Sequence, residues 1–344
     1  ITERAKKAGS IARVIDRHQQ LFLEARPPRA EVAIVYNPLA HFVGGRQRAA
    51  AYGGPQGEVI GIERDSLLGV HRALFPRNVP LDYVHIDHLS AEKLAQYKLV
   101  FFPYPLMLPE ATAKILAEYV RGGGTLVAEA RLAWNNERGY ASERIPGLGL
   151  WEVMGCRETA IETAPGGRTT LRWTGNDLPG LSPGAVLPGR WYKETLEPLS
   201  STARIVAEFE DGSPAAVMST HGKGRTLMLG SYLSGAYQSK PTPEAERFFA
   251  GLLQWAGITL PIEVKGSPLE ARHLESGNHA VLFLFNHATA PANATVTLRR
   301  PAGSYTATDL VLDRDVPVTR AGDGVSLDVQ LPPSGVQVIR IARQ

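Results

Sequence analysis

The residues of this chain able to do chemistry fall in a few places. "VHIDH" offers His85, Asp87 and His88, two imidazoles and a carboxylate that make a partial ligand set for a divalent ion. A strand through them sends alternate side chains to opposite faces. No further ligand is identifiable, so no metal is expected. Cys156, the single cysteine, sits in "LWEVMGCRE", which excludes an internal disulfide framework and a cysteine-rich cluster. A nucleophilic thiol needs a depressed pKa and a histidine base. No elbow motif surrounds this one, so it reads as a buried structural thiol near the end of a helix, with a Cys156 hydrolase as an alternative. His221, in "STHGKGR", lies in a hairpin turn where a polar residue is ordinary. Gly122 to Gly124 resemble the start of a phosphate cradle, but such loops run from a strand into a helix. These run from a helix into a strand, so Gly122 reads as the left-handed residue that ends the helix. The richest stretch is "EARLAWNNERGY". Trp134, Asn135, Asn136, Arg138 and Tyr140 could stack on and hydrogen-bond a sugar, or pack on another chain or domain. Carboxylates are plentiful, but no pair stands out as general acid and base, and no cofactor is implied.

The elements that must position these residues follow from periodicity. Residues 2–25 place Ile11, Val14, Ile15, Leu21 and Phe22 on one helical face, with Arg4, Lys7, Arg13 and Arg17 largely elsewhere. Pro27-Pro28 stops that helix, and its stripe must dock on something. From Glu31 strands and helices alternate: "EVAIVYN", the helix "ERDSLLGVHRALFPRN", "PLDYVHID", the apolar "YKLVFFPYP", a helix from Leu108 to Arg121 and "TLVAEA". Leu108, Ala111, Ile115 and Tyr119 share the expected buried face of that last helix. The alternation predicts an α/β fold, an open, mostly parallel sheet with helices on both faces. Ligands then bind at the carboxyl ends of the strands, where Asn37, Asp87, Tyr104 and "EARLAWNNERGY" are expected. Residues 141–200 are rich in Gly and Pro and read as an excursion with short strands. Further strands join at "EDGS" and "HGKG", and a helix capped by Thr242 closes the domain near Gly257. After Pro261, short turn-punctuated strands predict a small antiparallel β-sandwich. The expected organisation is a linking helix at 1–30, an α/β domain at 31–260 and a β-sandwich at 261–344.

The 344 residues carry 37 basic and 34 acidic side chains for a net charge of +3 with no block of one sign, so nucleic acid and anionic membrane are not expected partners. The longest apolar run, "LVFFPYPLML", is half the length a membrane helix needs. No signal-peptide pattern opens the chain, and a cytoplasmic location is expected, with secretion the alternative. The first residue is Ile rather than Met, the mark expected of a fragment or a processed product.

"RDSLLGVHRAL", "LSAEKLAQYKLVFFPYPLMLPEATAKILAEYVRGGGTLVAEAR" and "GLGLWEVMG" together resemble the middle domain of family 42 β-galactosidases. "LESGNHAVLFLFNHATAPANATVTL" with "LPPSGVQVIRI" resembles their small C-terminal β-domain, and residues 2–25 resemble the segment leading out of their barrel. The resemblance implies a flavodoxin-like, class I glutamine-amidotransferase-like trimerisation domain. It also implies a homo-oligomer and a catalytic barrel, on the same or a neighbouring chain, as partner. The family's catalytic glutamates sit on a (β/α)8 barrel of about 250 residues. Only some 30 residues precede the α/β domain here, so no catalytic residue carries over. Where true amidotransferases have a cysteine after the third strand, this chain reads "PYPLMLPE". Where the galactosidases have a tryptophan-rich loop after the first strand, it reads "NPLAHFVGG". The expected function is therefore the non-catalytic portion of a β-galactosidase that mediates oligomerisation and shapes a neighbouring active site. The alternative of another class is a stand-alone carbohydrate-binding module.

Overall fold

The structure, a computed structural model, describes residues 2–42, 46–48, 50, 56 and 59–344. The end of "NPLAHFVGG", residues 43–45, and the side chains of Arg4 and Lys7 lie outside the described residues. Two compact units divide the chain. One holds Ile1–Arg29, Pro76–Pro80 and Leu260–Gln344, the other Ala30–Phe75 and Leu81–Thr259.

The N-terminal segment forms α1 (Glu3–Arg17) and α2 (Gln19–Glu24). Thr2 caps α1 by accepting the Ala5 N–H at 3.2 Å. The expected single helix is broken at His18, and this changes which residues are buried. Val14 is buried with Val281 and Leu310 of the same unit, and the partly buried Leu21, Phe22, Phe283 and Val338 pack against them. Ile11 and Ile15 remain 61% and 49% exposed.

The second unit is built on β1 (Val32–Tyr36), α3 (Ile62–Leu74), β2 (Leu81–His85), β3 (Leu99–Phe102), α4 (Glu110–Gly122) and β4 (Thr125–Ala128). It continues through α5 (Leu150–Met154), β5 (Cys156–Trp173), β6 (Val186–Pro198), β7 (Arg204–Glu208), β8 (Pro214–His221), β9 (Gly224–Leu229), α6 (Leu233–Ser239) and α7 (Pro243–Trp255). Its sheet has nine strands in the order β6-β5-β7-β8-β9-β4-β3-β1-β2. The five strands from β9 to β2 are parallel and the four from β6 to β8 pair antiparallel. In β3, Val100 and Phe102 face Leu116 and Val120 of α4, whereas the Phe101 ring lies 6.2 Å from that of Phe249 on α7. Helices therefore cover both faces, which is why these strands are apolar without alternation.

Four details differ from the periodicity. The second-strand pattern ends at His85, and Ile86–His88 is a 3-10 turn, so the alternating-face expectation for "VHIDH" does not hold. In α4 the buried residues are Thr112, Ala113, Leu116, Tyr119 and Val120. Ala111 is exposed, because the buried stripe of the first two turns runs through Thr112, Ala113 and Leu116 instead. The left-handed residue is Gly123, at φ 121°, with the Gly123 and Gly124 N–H groups donating to Val120 and Tyr119 carbonyls at 3.0 Å. Residues 141–200 are no excursion of short strands: β5 and β6 are 18 and 13 residues long and form one edge of the sheet.

The first unit's strands are β10 (Ile262–Gly266), β11 (Glu270–Ser276), β12 (His279–Phe285), β13 (Ala292–Arg299), β14 (Tyr305–Asp309), β15 (Arg314–Val316), β16 (Thr319–Ala321), β17 (Gly324–Leu331) and β18 (Val336–Arg343). They form two antiparallel sheets, β10-β13-β17-β16 and β11-β12-β18-β14-β15. Both sheets contribute to one core: Ala292, Ala294, Val296 and Leu298 of β13 alternate inward to meet Leu282, Ile339 and Ile341.

Candidate functional site

The carboxyl ends of the parallel strands are the place to look. The chain leaves β4 through Glu129 and turns sharply, with Arg131 and Ala133 at φ 62° and 54°. Non-glycine residues rarely hold that conformation, and surrounding structure must enforce it. Here the Arg131 N–H donates to the Glu194 carboxylate at 2.9 Å and the Ala133 N–H to the Pro105 carbonyl at 2.7 Å. The Arg131 guanidinium lies 4.0 Å above the Trp134 ring, a cation–π contact that holds the half-buried indole.

The sequence cluster separates into two groups at this turn. Asn135 pairs with Met107 in a short two-strand ladder, and its Nδ2 donates to the Gly139 carbonyl at 3.0 Å. Asn37 reaches the same place from the end of β1, with Nδ2 donating to the Met107 carbonyl at 2.8 Å. Both asparagines are buried, and the Oδ1 of each lacks a partner among the described residues. The other group faces outward. Asn136 Oδ1 accepts the Arg138 and Tyr140 N–H groups, each at 3.0 Å, an arrangement that closes the turn. Tyr140 is 70% exposed. Glu137 ties the turn back by accepting the Glu110 N–H at the start of α4, 3.2 Å away, where a negative charge is favourable.

Beneath the loop the sheet end is packed with aromatic rings. Tyr232 lies 5.4 Å from Tyr104, 5.6 Å from Trp191 and 6.0 Å from Tyr192, and its hydroxyl donates to the Ala130 carbonyl at 3.2 Å. Tyr104, expected to face a ligand crevice, instead helps to fill it. Two buried acids flank these rings. Glu129 accepts the Ser234 N–H and hydroxyl, each at 2.6 Å. Burial pushes its pKa up to about 8 against the opposing effect of those bonds. Glu194 is raised well above the ordinary carboxylate value by burial first and then by the charge of Glu158, with the Arg131 N–H opposing. Sequence reasoning missed both acids and Trp191. Glu129 had a signal, as the acid that closes an apolar run, whereas the burial of Glu194 depends on strands far away in sequence.

The remaining chemical residues separate. Cys156 begins β5 two residues after α5 ends, so it lies near a helix end as expected. Its thiol is buried, and burial together with the Glu194 charge pushes its pKa up, the reverse of what a nucleophile needs. His85 Nδ1 accepts the Asp87 N–H at 3.2 Å, and its ring lies 5.6 Å from that of His88. A cleft of about 520 Å³ opens at the ends of β1 and β2, lined by Tyr36, His41, Phe42, Glu63, Leu68 and Tyr83 among others. His41 Nδ1 lies 2.8 Å from Glu63 Oε2. Burial raises the Glu63 pKa, and the His41 bond opposes that shift.

Residues 30–258 match a family model described as the β-galactosidase trimerisation domain. The chain belongs to that family, the trimerisation domain of family 42 β-galactosidases. A curated relative, the β-galactosidase LacA of Lactobacillus acidophilus, is 26% identical over 176 residues, which are 49% of this chain and 24% of the relative. Among solved structures, the β-galactosidase from Bacillus circulans sp. alkalophilus superimposes with a TM-score of 0.74 at 19% identity, covering 99% of this chain and 45% of that one. The β-galactosidase from Rahnella sp. R3 gives 0.68 at 20% identity, with 92% and 41% covered. The chain thus spans about a quarter of the length of the curated relative and under half of those structures. The shared fold extends past the trimerisation domain into the β-sandwich.

Proposed function

We propose that this chain is the non-catalytic, oligomerising portion of a family 42-like β-galactosidase and that it assembles as a homotrimer. The match of residues 30–258 to the trimerisation domain carries this reading. The parallel half of the sheet, in the order β2-β1-β3-β4-β9, supports a flavodoxin-like core of the class I amidotransferase kind. The filled crevice and the raised Cys156 thiol argue against a glutaminase centre of that fold. In the parent enzyme a catalytic barrel would hydrolyse a terminal β-galactoside with retention, one carboxylate as nucleophile and another as acid/base. The outward turn of Trp134, Asn136, Arg138 and Tyr140, anchored by Asn135 and Asn37, would meet a neighbouring barrel and its sugar.

Light scattering on the purified chain tests the assembly, with three times the 37.3 kDa chain mass expected. A monomer at micromolar concentration overturns it. Hydrolysis of a chromogenic galactoside by the chain alone would overturn the non-catalytic assignment. The exposed Tyr140 favours a second reading, a carbohydrate contact made by this chain itself, and heat on titration with a galactoside would support it.

A further inference from the structure

Glu194 poses a problem of hydrogen-bond bookkeeping. Its carboxyl is fully buried on β6. Oε2 accepts the Arg131 N–H at 2.9 Å, but Oε1 has no partner among the described residues. Arg131 ties it to another carboxyl on β5, Glu158, which is mostly buried and whose charge acts on Glu194. Arg131 Nε donates to Glu158 Oε2 at 3.2 Å, with 12% and 14% of those two side chains exposed. Two carboxylates side by side repel and cannot bond each other, and one guanidinium neutralises only one of them.

We propose that Glu158 and Glu194 share a single proton and, with Arg131, form a latch that positions the Trp134–Tyr140 loop. With Glu194 protonated, Oε1 becomes a donor and the Glu158 carboxylate is its acceptor. The triad then holds one carboxylic acid, one carboxylate and one guanidinium, so its net charge is zero and the orphaned oxygen is satisfied. The same Arg131 donates its backbone N–H to Glu194, takes a left-handed backbone angle and lays its guanidinium on Trp134. The protonated pair thereby fixes the first turn of the loop. Loss of the proton leaves two buried negative charges against one positive charge, and the loop is released.

The other groups facing Glu194 do not supply the missing cation. Cys156, at the start of β5, is a thiol pushed up by burial and by the Glu194 charge. Tyr232 is a buried phenol raised by burial and by Tyr104, Tyr192, Glu129 and Glu194. Glu129 is a further buried acid that titrates separately, bound to Ser234. The latch stands apart from the oligomeric reading. Only its use, presenting the loop to a partner, rests on that reading.

The test is amide hydrogen exchange of peptides covering residues 131–142 in the whole chain, corrected for the intrinsic pH dependence of exchange, between about pH 5 and about pH 9. Protection should fall at least about tenfold through one single-proton step. Glu194→Gln, whose amide stays neutral and can donate to Glu158, should keep protection high throughout. Glu158→Gln removes the acceptor charge and should move the step to lower pH, which keeps the idea testable if Glu194→Gln fails to fold. Glu129→Gln should leave the step in place. A flat profile in the unaltered chain, a step unmoved by both Glu158→Gln and Glu194→Gln, or one abolished by Glu129→Gln overturns the proposal. None of these results depends on whether the chain is a trimer.

Discussion

The two ends of the nine-stranded sheet are held by different physics. At the amino end of the parallel strands, α4 returns into β4 and β8 returns into β9 through glycines, two of which, Gly123 and Gly222, sit at φ 121° and 60°. A Cβ on Gly224 would collide with the Val120 and Gly124 carbonyl oxygens, and one on Gly124 with the Tyr119 ring. The Tyr119 hydroxyl donates to the Thr125 carbonyl at 3.2 Å. At the carboxyl end the same strands release the chain into buried acids, packed phenols and left-handed non-glycine residues. One end is fixed by close approach of backbone, which pH does not touch. The other depends on protons and on buried polar atoms, the costlier arrangement and the one from which a response can be drawn.

The sharpest way to break the contrast is at the tight end. Gly224→Val should destabilise by about 3 kcal/mol or more, because the colliding atoms are backbone and cannot swing away, and urea unfolding reads the loss. Next comes Glu129→Ala, which strands the Ser234 N–H and hydroxyl and should cost about 2 kcal/mol. Glu129 also carries a sign that the tight end lacks. Its folded pKa of about 8 lies above the ordinary 4.5, so the native state holds the proton more tightly than the unfolded chain. That stabilisation is complete below about 4.5 and is lost as pH rises through about 8. Glu129→Gln should flatten the stability profile across that window, and an unchanged slope would show that the acid does not govern it. Tyr119→Phe removes one buried hydrogen bond and should cost about 1 kcal/mol with no pH dependence. The smallest effect should come from Asn136→Ala, about 0.5 kcal/mol for an exposed turn, seen as faster exchange of the Arg138 and Tyr140 amides.

How far each end was legible follows from the same contrast. The parallel strands announce themselves as "VAIVY", "LVFF" and "TLVA" because both faces are covered, and α7 because Thr242 caps it by accepting the Ala245 N–H at 3.3 Å. The long edge strands did not. β5 exposes most of one face and carries Gly166 and Gly167 at positive φ, and β6 contains Pro188 and Gly189. Composition there looks like loop although pairing makes it sheet. At Gly189 a side chain would crowd Ser231, Leu171 and Thr169, which would have to shift to admit it. The residues of the candidate loop were visible in the sequence, but their division into buried anchors and an outward turn was not. It depends on Met107, brought alongside Asn37 and Asn135 only by folding. Glu194 was hidden for the same reason, since Arg131 and Glu158 reach it from distant elements.

The sequence bookkeeping of the two compact units has a consequence for anyone shortening this gene. The stretch Pro76–Pro80 belongs with the β-sandwich although it lies inside the α/β stretch of the sequence. Asn78, at φ 61°, accepts the Ala271 N–H at 2.8 Å and an Arg272 guanidinium N–H at 2.9 Å. A product ending at Thr259 keeps that acceptor and discards both donors, and a product beginning at Leu260 does the reverse. Neither unit is a contiguous cassette, so excision at the obvious boundary leaves a splinter of one in the other.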